Sequence, residues 1–172
     1  ATDEHTIFSL NDFAGADKEF SLMEDRSFYM KNGVPDASIA TGGSITPDVM
    51  SVNTDTGFSI VKYVGGQGDS VPHGLDKAPD FILVKTLSTD VQWVVYHSAT
   101  PEGFLGLNNS SNFVTAPSDW GSGITDSVIG LGSSNGNNHS GNMIAYCWHS
   151  VPGYSAFGSY TGNLTDGSNF IY

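Results

Sequence analysis

The feature that most constrains this chain is the shortness of its apolar runs. None is longer than Met143-Ile144-Ala145-Tyr146-Cys147-Trp148, and Gly, Asn, Asp, Ser and Pro recur between them. From Gly57 onward such runs recur between turn formers, the pattern of short antiparallel strands. Expected strands cover 58–63, 80–86, 92–97, 104–107, 127–131, 142–148 and 156–160. Phe81-Ile82-Leu83-Val84 is apolar on both faces, so it is expected as a central strand buried on both sides. The stretch 86–91 should turn it back into 92–97 as a hairpin. There Trp93, Val95 and His97 share one face while Val94 and Tyr96 share the other. Trp93 and Trp148 read as core residues, and the polar stretch 133–141 reads as a surface loop.

Composition supports the same class. Gly, Ser, Thr and Asn make up about 40% of the 172 residues, and these are poor helix formers and good turn formers. Ten Phe, seven Tyr and three Trp argue for a packed core rather than disorder. The expected fold is therefore all-β, an antiparallel β-sandwich or jelly roll formed by residues 57–172. Residues 1–56 differ: their first 50 hold half of the carboxylates and three of the four Met, and the segment reads as an acidic, irregular N-terminal arm with one or two strands or a helical turn.

Charge narrows the partners. Six Lys and Arg stand against 18 Asp and Glu, a net charge of −12. Nucleic-acid backbones and anionic membranes both demand cationic patches, so neither is an expected partner. No apolar run approaches the roughly 20 residues that span a bilayer. The opening Ala1-Thr2-Asp3-Glu4-His5-Thr6-Ile7-Phe8-Ser9-Leu10 lacks the basic and apolar regions of a signal peptide. The single cysteine, Cys147, lies in an apolar run and reads as an inert buried thiol.

The residues offer little for catalysis. His5, His73, His97, His139 and His149 form no pair at metal-ligand spacing, and Cys147 has no second Cys beside it. No metal site and no cofactor are expected. Gly121-Ser122-Gly123 has the wrong spacing for a nucleophile elbow, and the adjacent His-Ser pairs at 97–98, 139–140 and 149–150 would point to opposite faces of a strand. Glycoside hydrolysis needs two carboxylates facing one cleft. From Asp55 on, however, each Asp sits beside turn formers, and Glu102 is the one Glu. The chain is expected not to be an enzyme. One aromatic stands apart: Trp120 sits in the loop-like Pro117-Ser118-Asp119-Trp120-Gly121-Ser122-Gly123. An exposed Trp120 beside Asp119, with Asn108 and the 108–112 loop at hand, is the surface type that stacks on a sugar ring and binds its hydroxyls. The competing reading is a Trp that folds back and plugs one end of the sandwich.

Several phrases in order carry a family resemblance. They are Gly57-Phe58-Ser59-Ile60-Val61-Lys62-Tyr63, Val71-Pro72-His73-Gly74-Leu75, Ala78-Pro79-Asp80-Phe81-Ile82-Leu83-Val84-Lys85 and Trp93-Val94-Val95-Tyr96-His97. Ser140-Gly141-Asn142 through Pro152-Gly153-Tyr154-Ser155 and Phe157-Gly158-Ser159-Tyr160 complete the series. Residues 57–172 thereby resemble an uncharacterised β domain of marine bacteriophage structural proteins, often found near concanavalin A-like lectin modules in tail-fibre-type chains. The resemblance implies a non-enzymatic virion component, on the tail fibre or the capsid surface, with other virion proteins as partners. A glycan-binding adhesin for host surface polysaccharide is the alternative. Asn169-Phe170-Ile171-Tyr172 is β-prone and unguarded by Lys, Arg or Pro, so it needs cover. Phage fibres being commonly trimeric, a homo-oligomer, with a trimer favoured, is expected.

Overall fold

The computed structural model describes residues 28–133 and 136–160, and over them the protein is all-β. The strands are β1 (Phe28–Lys31), β2 (Val34–Pro35), β3 (Val49–Asn53), β4 (Phe58–Val64), β5 (Ser70–Pro72) and β6 (Phe81–Thr86). They continue as β7 (Val94–His97), β8 (Gly103–Gly106), β9 (Val114–Thr115), β10 (Val128–Gly130) and β11 (Asn142–Trp148). Nine form one sheet in the order β2-β1-β3-β4-β11-β6-β7-β8-β9, while β5 and β10 pair in a second, smaller sheet. All neighbours are antiparallel except β1 and β3, which run parallel. The architecture is consistent with a β-sandwich whose two layers are very unequal.

The last strand among the described residues holds the centre. β11 inserts between β4 and β6, with Ala145 opposite Val61 on one side and Val84 on the other. Alternation along these strands sends Ser59, Val61 and Tyr63, Ile82 and Val84, and Met143, Ala145 and Cys147 to one face, where they are buried. Val71 of β5, Ile129 of β10, Leu131 and Trp120 close over that face and complete the core. The small sheet and its flanking loops are therefore a lid on one side of the large sheet.

Three expectations change here. Residues 28–56 do not belong to an irregular arm: β1, β2 and β3 extend the main sheet, β3 pairing with β4 from Val49–Lys62 to Asn53–Phe58. β3 alternates, with Met50 and Val52 buried and Ser51 and Asn53 exposed, whereas β1 is half-buried along its whole length. The remainder of the arm, residues 1–27, lies outside the described residues. Residues 156–160 form no strand; Phe157 instead lays its ring on Phe81. The 133–141 stretch is not wholly on the surface, since Asn137 is fully buried and its backbone carbonyl accepts a 2.7 Å hydrogen bond from the Tyr63 hydroxyl. A buried phenol must find an acceptor, and this loop supplies it.

Candidate functional site

The face of the large sheet opposite the core is built by the other half of each alternation. Cross-strand pairing sets Ser51, Ile60, Tyr146, Leu83, Val95 and Leu105 in one row from β3 to β8. A neighbouring row runs Asn53, Phe58, Trp148, Phe81 and His97. Among the described residues most of these side chains are half-buried, screened by one another and, at Phe81, by the ring of Phe157. Val95 is 7% exposed yet stands apart from the core cluster, so its neighbours on this outer face bury it. Leu87, Leu105 and Leu107, at 56%, 43% and 61% exposure, extend the apolar surface past β8 and the β6–β7 turn.

Aromatic rings organise the face. Phe58 stacks on Trp148 at 4.9 Å between centroids with 27° between planes, and Phe157 stacks on Phe81 at 5.8 Å and 9°. Phe81 and Trp148 join these two pairs at 5.7 Å. Tyr146 carries the series from Trp148 (6.3 Å) to Trp93 (6.4 Å). The rings face one another, which gains stacking energy within the row.

Electrostatically the face is distinct from the rest of the molecule. Among the described residues, no outward-facing position of β3, β4, β6, β7 or β11 carries Asp or Glu, although the chain holds 18 of them. Its two lysines are already engaged. Lys62 lies 3.4 Å from Asp48, and the Lys85 ammonium donates to the Val91 and Thr89 carbonyls at 2.6 and 3.3 Å. The result is a near-neutral, aromatic plane on a strongly anionic body.

The residues expected to bind sugar do not assemble into a site. Trp120 ends the short 3-10 helix Pro117–Trp120 and is only 2% exposed. Its ring packs edge-on against Tyr96 at 5.1 Å, and its indole N–H donates to the Gly103 carbonyl at 2.9 Å. It plugs one end of the core, because an apolar ring with a satisfied N–H is more stable there than in water. Asp119 is half-buried, and its backbone carbonyl accepts from the Gly132 N–H and the Asn137 side chain. Asn108 is exposed and accepts from the Trp93 N–H at 2.9 Å, pinning the β8–β9 loop to the start of β7. Trp93 and Trp148, expected in the core, lie instead on the outer face. The sequence signal for that face was visible in β6, where apolar residues occupy both parities. The expected burial on both sides is met, among the described residues, on the Ile82 and Val84 side, while Phe81, Leu83 and Lys85 are half-buried.

Polar groups on the core side are committed to structure. His73 is fully buried; its Nδ1 accepts from the Leu75 N–H at 3.1 Å and its Nε2 donates to the Thr125 carbonyl at 3.1 Å. Burial lowers its pKa to about 4, against the opposing pull of the Thr125 carbonyl and Asp126. Burial pulls the Asp80 carboxyl upward, but hydrogen bonds from Ser150 and Ser98 outweigh it and hold the group below the ordinary carboxylate value. Cys147 is buried as expected, which pushes its thiol up to about 12 and leaves no thiolate near neutrality. His149 Nε2 lies 3.4 Å from an exposed Asp76 oxygen, off line for a hydrogen bond. Among the described residues, no three His, Cys, Asp or Glu side chains are placed to hold a metal ion.

Residues 28–172 match the model of a family described as a domain of unknown function (DUF7483). No curated protein and no solved structure matches the chain.

Proposed function

We infer a structural rather than a chemical role for this chain, which belongs to the DUF7483 family. It is a non-enzymatic component of a bacteriophage particle, on the tail fibre or capsid surface, and it holds its neighbours through the outer face of its sheet. One observation carries the contact-surface part of this reading. A sheet face with stacked aromatics, three exposed leucines at its end and no carboxylate is maintained on a chain of net charge −12. Contiguous exposed apolar surface of this kind marks interaction sites rather than ordinary solvent-facing protein. The location in a virion draws on the resemblance of residues 57–172 to marine phage structural domains.

Electron microscopy with a gold-labelled antibody against this chain tests the reading on particles purified from the culture that produces it. Label at one fixed position on the particle is expected; particles without label overturn it. Absence of enzymatic activity has its own test. Purified protein incubated with bacterial polysaccharides should release no reducing ends. Release abolished by changing a single Asp or Glu to its amide would make the chain a hydrolase.

The adhesin alternative no longer draws on Trp120, Asp119 and Asn108, since the indole is inside the core. It passes to Trp148, Tyr146 and Trp93, which form one series of near-parallel rings on the outer face. Binding to immobilised host polysaccharide that Trp148→Ala abolishes, with the melting temperature held, would favour the adhesin.

A further inference from the structure

We propose that the occupant of the outer sheet face is a second copy of this chain, packed face to face about a two-fold axis. The proposal rests on reading that face as a contact surface, and three observations select a second copy as its occupant.

Charge is the first. Copies of a −12 chain repel one another over most of their surface. The outer face is where that repulsion is least, because its strand positions carry no carboxylate, Lys62 is paired with Asp48, and the Lys85 ammonium, held by two backbone carbonyls, is its one uncompensated charge. A basic partner would be drawn to the rest of the molecule and find nothing to pair with here. A neutral apolar partner fits, and the same face on another copy is one.

The sheet edges are the second. An edge strand is the usual place for chains to join by hydrogen bonding. Among the described residues the edges of the large sheet are β2 and β9, each two residues long, with Pro35 in one and Pro117 soon after the other. Such edges offer few backbone groups to a neighbour, which leaves the face as the surface for association.

Shape and area are the third. Two faces with the same twist pack in register with each other at roughly 10 Å separation, as the layers of a sandwich do. From β3 to β8 the face spans six strands, the longest of seven residues, or about 500 Å² in projection at ordinary strand spacing. Leu87 and Leu107 add exposed apolar surface at one end of the face, where a stable interface takes roughly 800 Å² per partner.

Sedimentation of the full chain at micromolar concentration tests the proposal, and a dimer is expected. Leu105→Glu with Leu107→Glu places carboxylates on side chains that are already exposed, so the fold survives. That variant should weaken association by at least 100-fold and sediment as a monomer with unchanged circular dichroism. Leu83→Cys, near the centre of the face, should give a disulfide-linked dimer under mild oxidation, while Val34→Cys on edge strand β2 should not. Cys147 is buried and stays out of the exchange. A wild-type monomer at 100 µM overturns the proposal, and so does a dimer that the double variant leaves intact. Gold-labelled particles together with a monomeric chain would sink self-packing and leave the virion role standing; a dimer with unlabelled particles would do the reverse.

Discussion

Trp120 shows how one side chain decides between a binding surface and a core. Its indole closes the end of the sandwich against Tyr96 and satisfies the Gly103 carbonyl. Trp120→Ala should therefore cost about 3–5 kcal/mol, the range for deleting a buried aromatic, and lower the melting temperature by roughly 10 °C. Trp120→Phe keeps the ring but orphans the carbonyl and should cost about 1–2 kcal/mol. Urea denaturation of the three proteins measures both; a wild-type midpoint for Trp120→Ala would return the residue to the surface. His73 makes a pH-dependent contribution whose sign follows from its depressed pKa. With about 4 in the folded protein and 6.5 unfolded, the unfolded chain binds the extra proton between those values. Stability from this group is complete above pH 6.5 and is lost as pH falls toward 4. Between pH 7 and pH 5 the loss should be about 2 kcal/mol. His73→Asn, which retains an acceptor for the Leu75 N–H, should flatten that part of the profile when urea midpoints are compared at the two pH values.

Among the elements, β11 and its anchors carry the sheet. Asp80, just before β6, accepts from the Ser150 N–H at 2.7 Å and from the Ser98 hydroxyl at 3.2 Å, tying the ends of β11 and β7 to the start of β6. Asp80→Ala should lower stability by about 2–3 kcal/mol, since bonds to a charged acceptor exceed those between neutral groups. The loss should appear in hydrogen exchange as faster opening of amides near Trp148 and His97 than at β1 and β3. Uniform acceleration across the sheet would mean that Asp80 stabilises the fold without clamping these ends. The β6–β7 hairpin was legible because its strands are adjacent and its turn is short. The insertion of β11 between β4 and β6 was not, because no local rule joins residues so distant in sequence.

At the scale of the whole molecule, the anionic body and the neutral outer face make opposing demands. If copies associate through that face, the remaining carboxylates still repel across the interface at long range, and salt screens them. The dissociation constant measured by sedimentation equilibrium should fall several-fold between 20 and 200 mM NaCl, the reverse of an association held by ion pairs. Association weakened by salt would point to a charged contact elsewhere. The trimer expected from 168–172 rests on residues outside those described.

The sequence alone determined the class of fold, because turn-forming residues cut the apolar runs too short for helices and period-2 alternation fixed which residues of each strand share a face. It gave 142–148 with both boundaries as they stand in β11, and it gave the buried thiol of Cys147. Tertiary structure alone decided which of the two faces is covered. Apolar residues on both parities of β4, β6 and β11 are compatible with one lid or two, and only the placement of β5, β10 and Trp120 shows that the lid lies on the Val61, Val84 and Ala145 side. The same placement took Trp120 inward and left Trp148 outward. Local sequence reports how apolar a side chain's surroundings must be, and the surroundings themselves are assembled by contacts from distant parts of the chain.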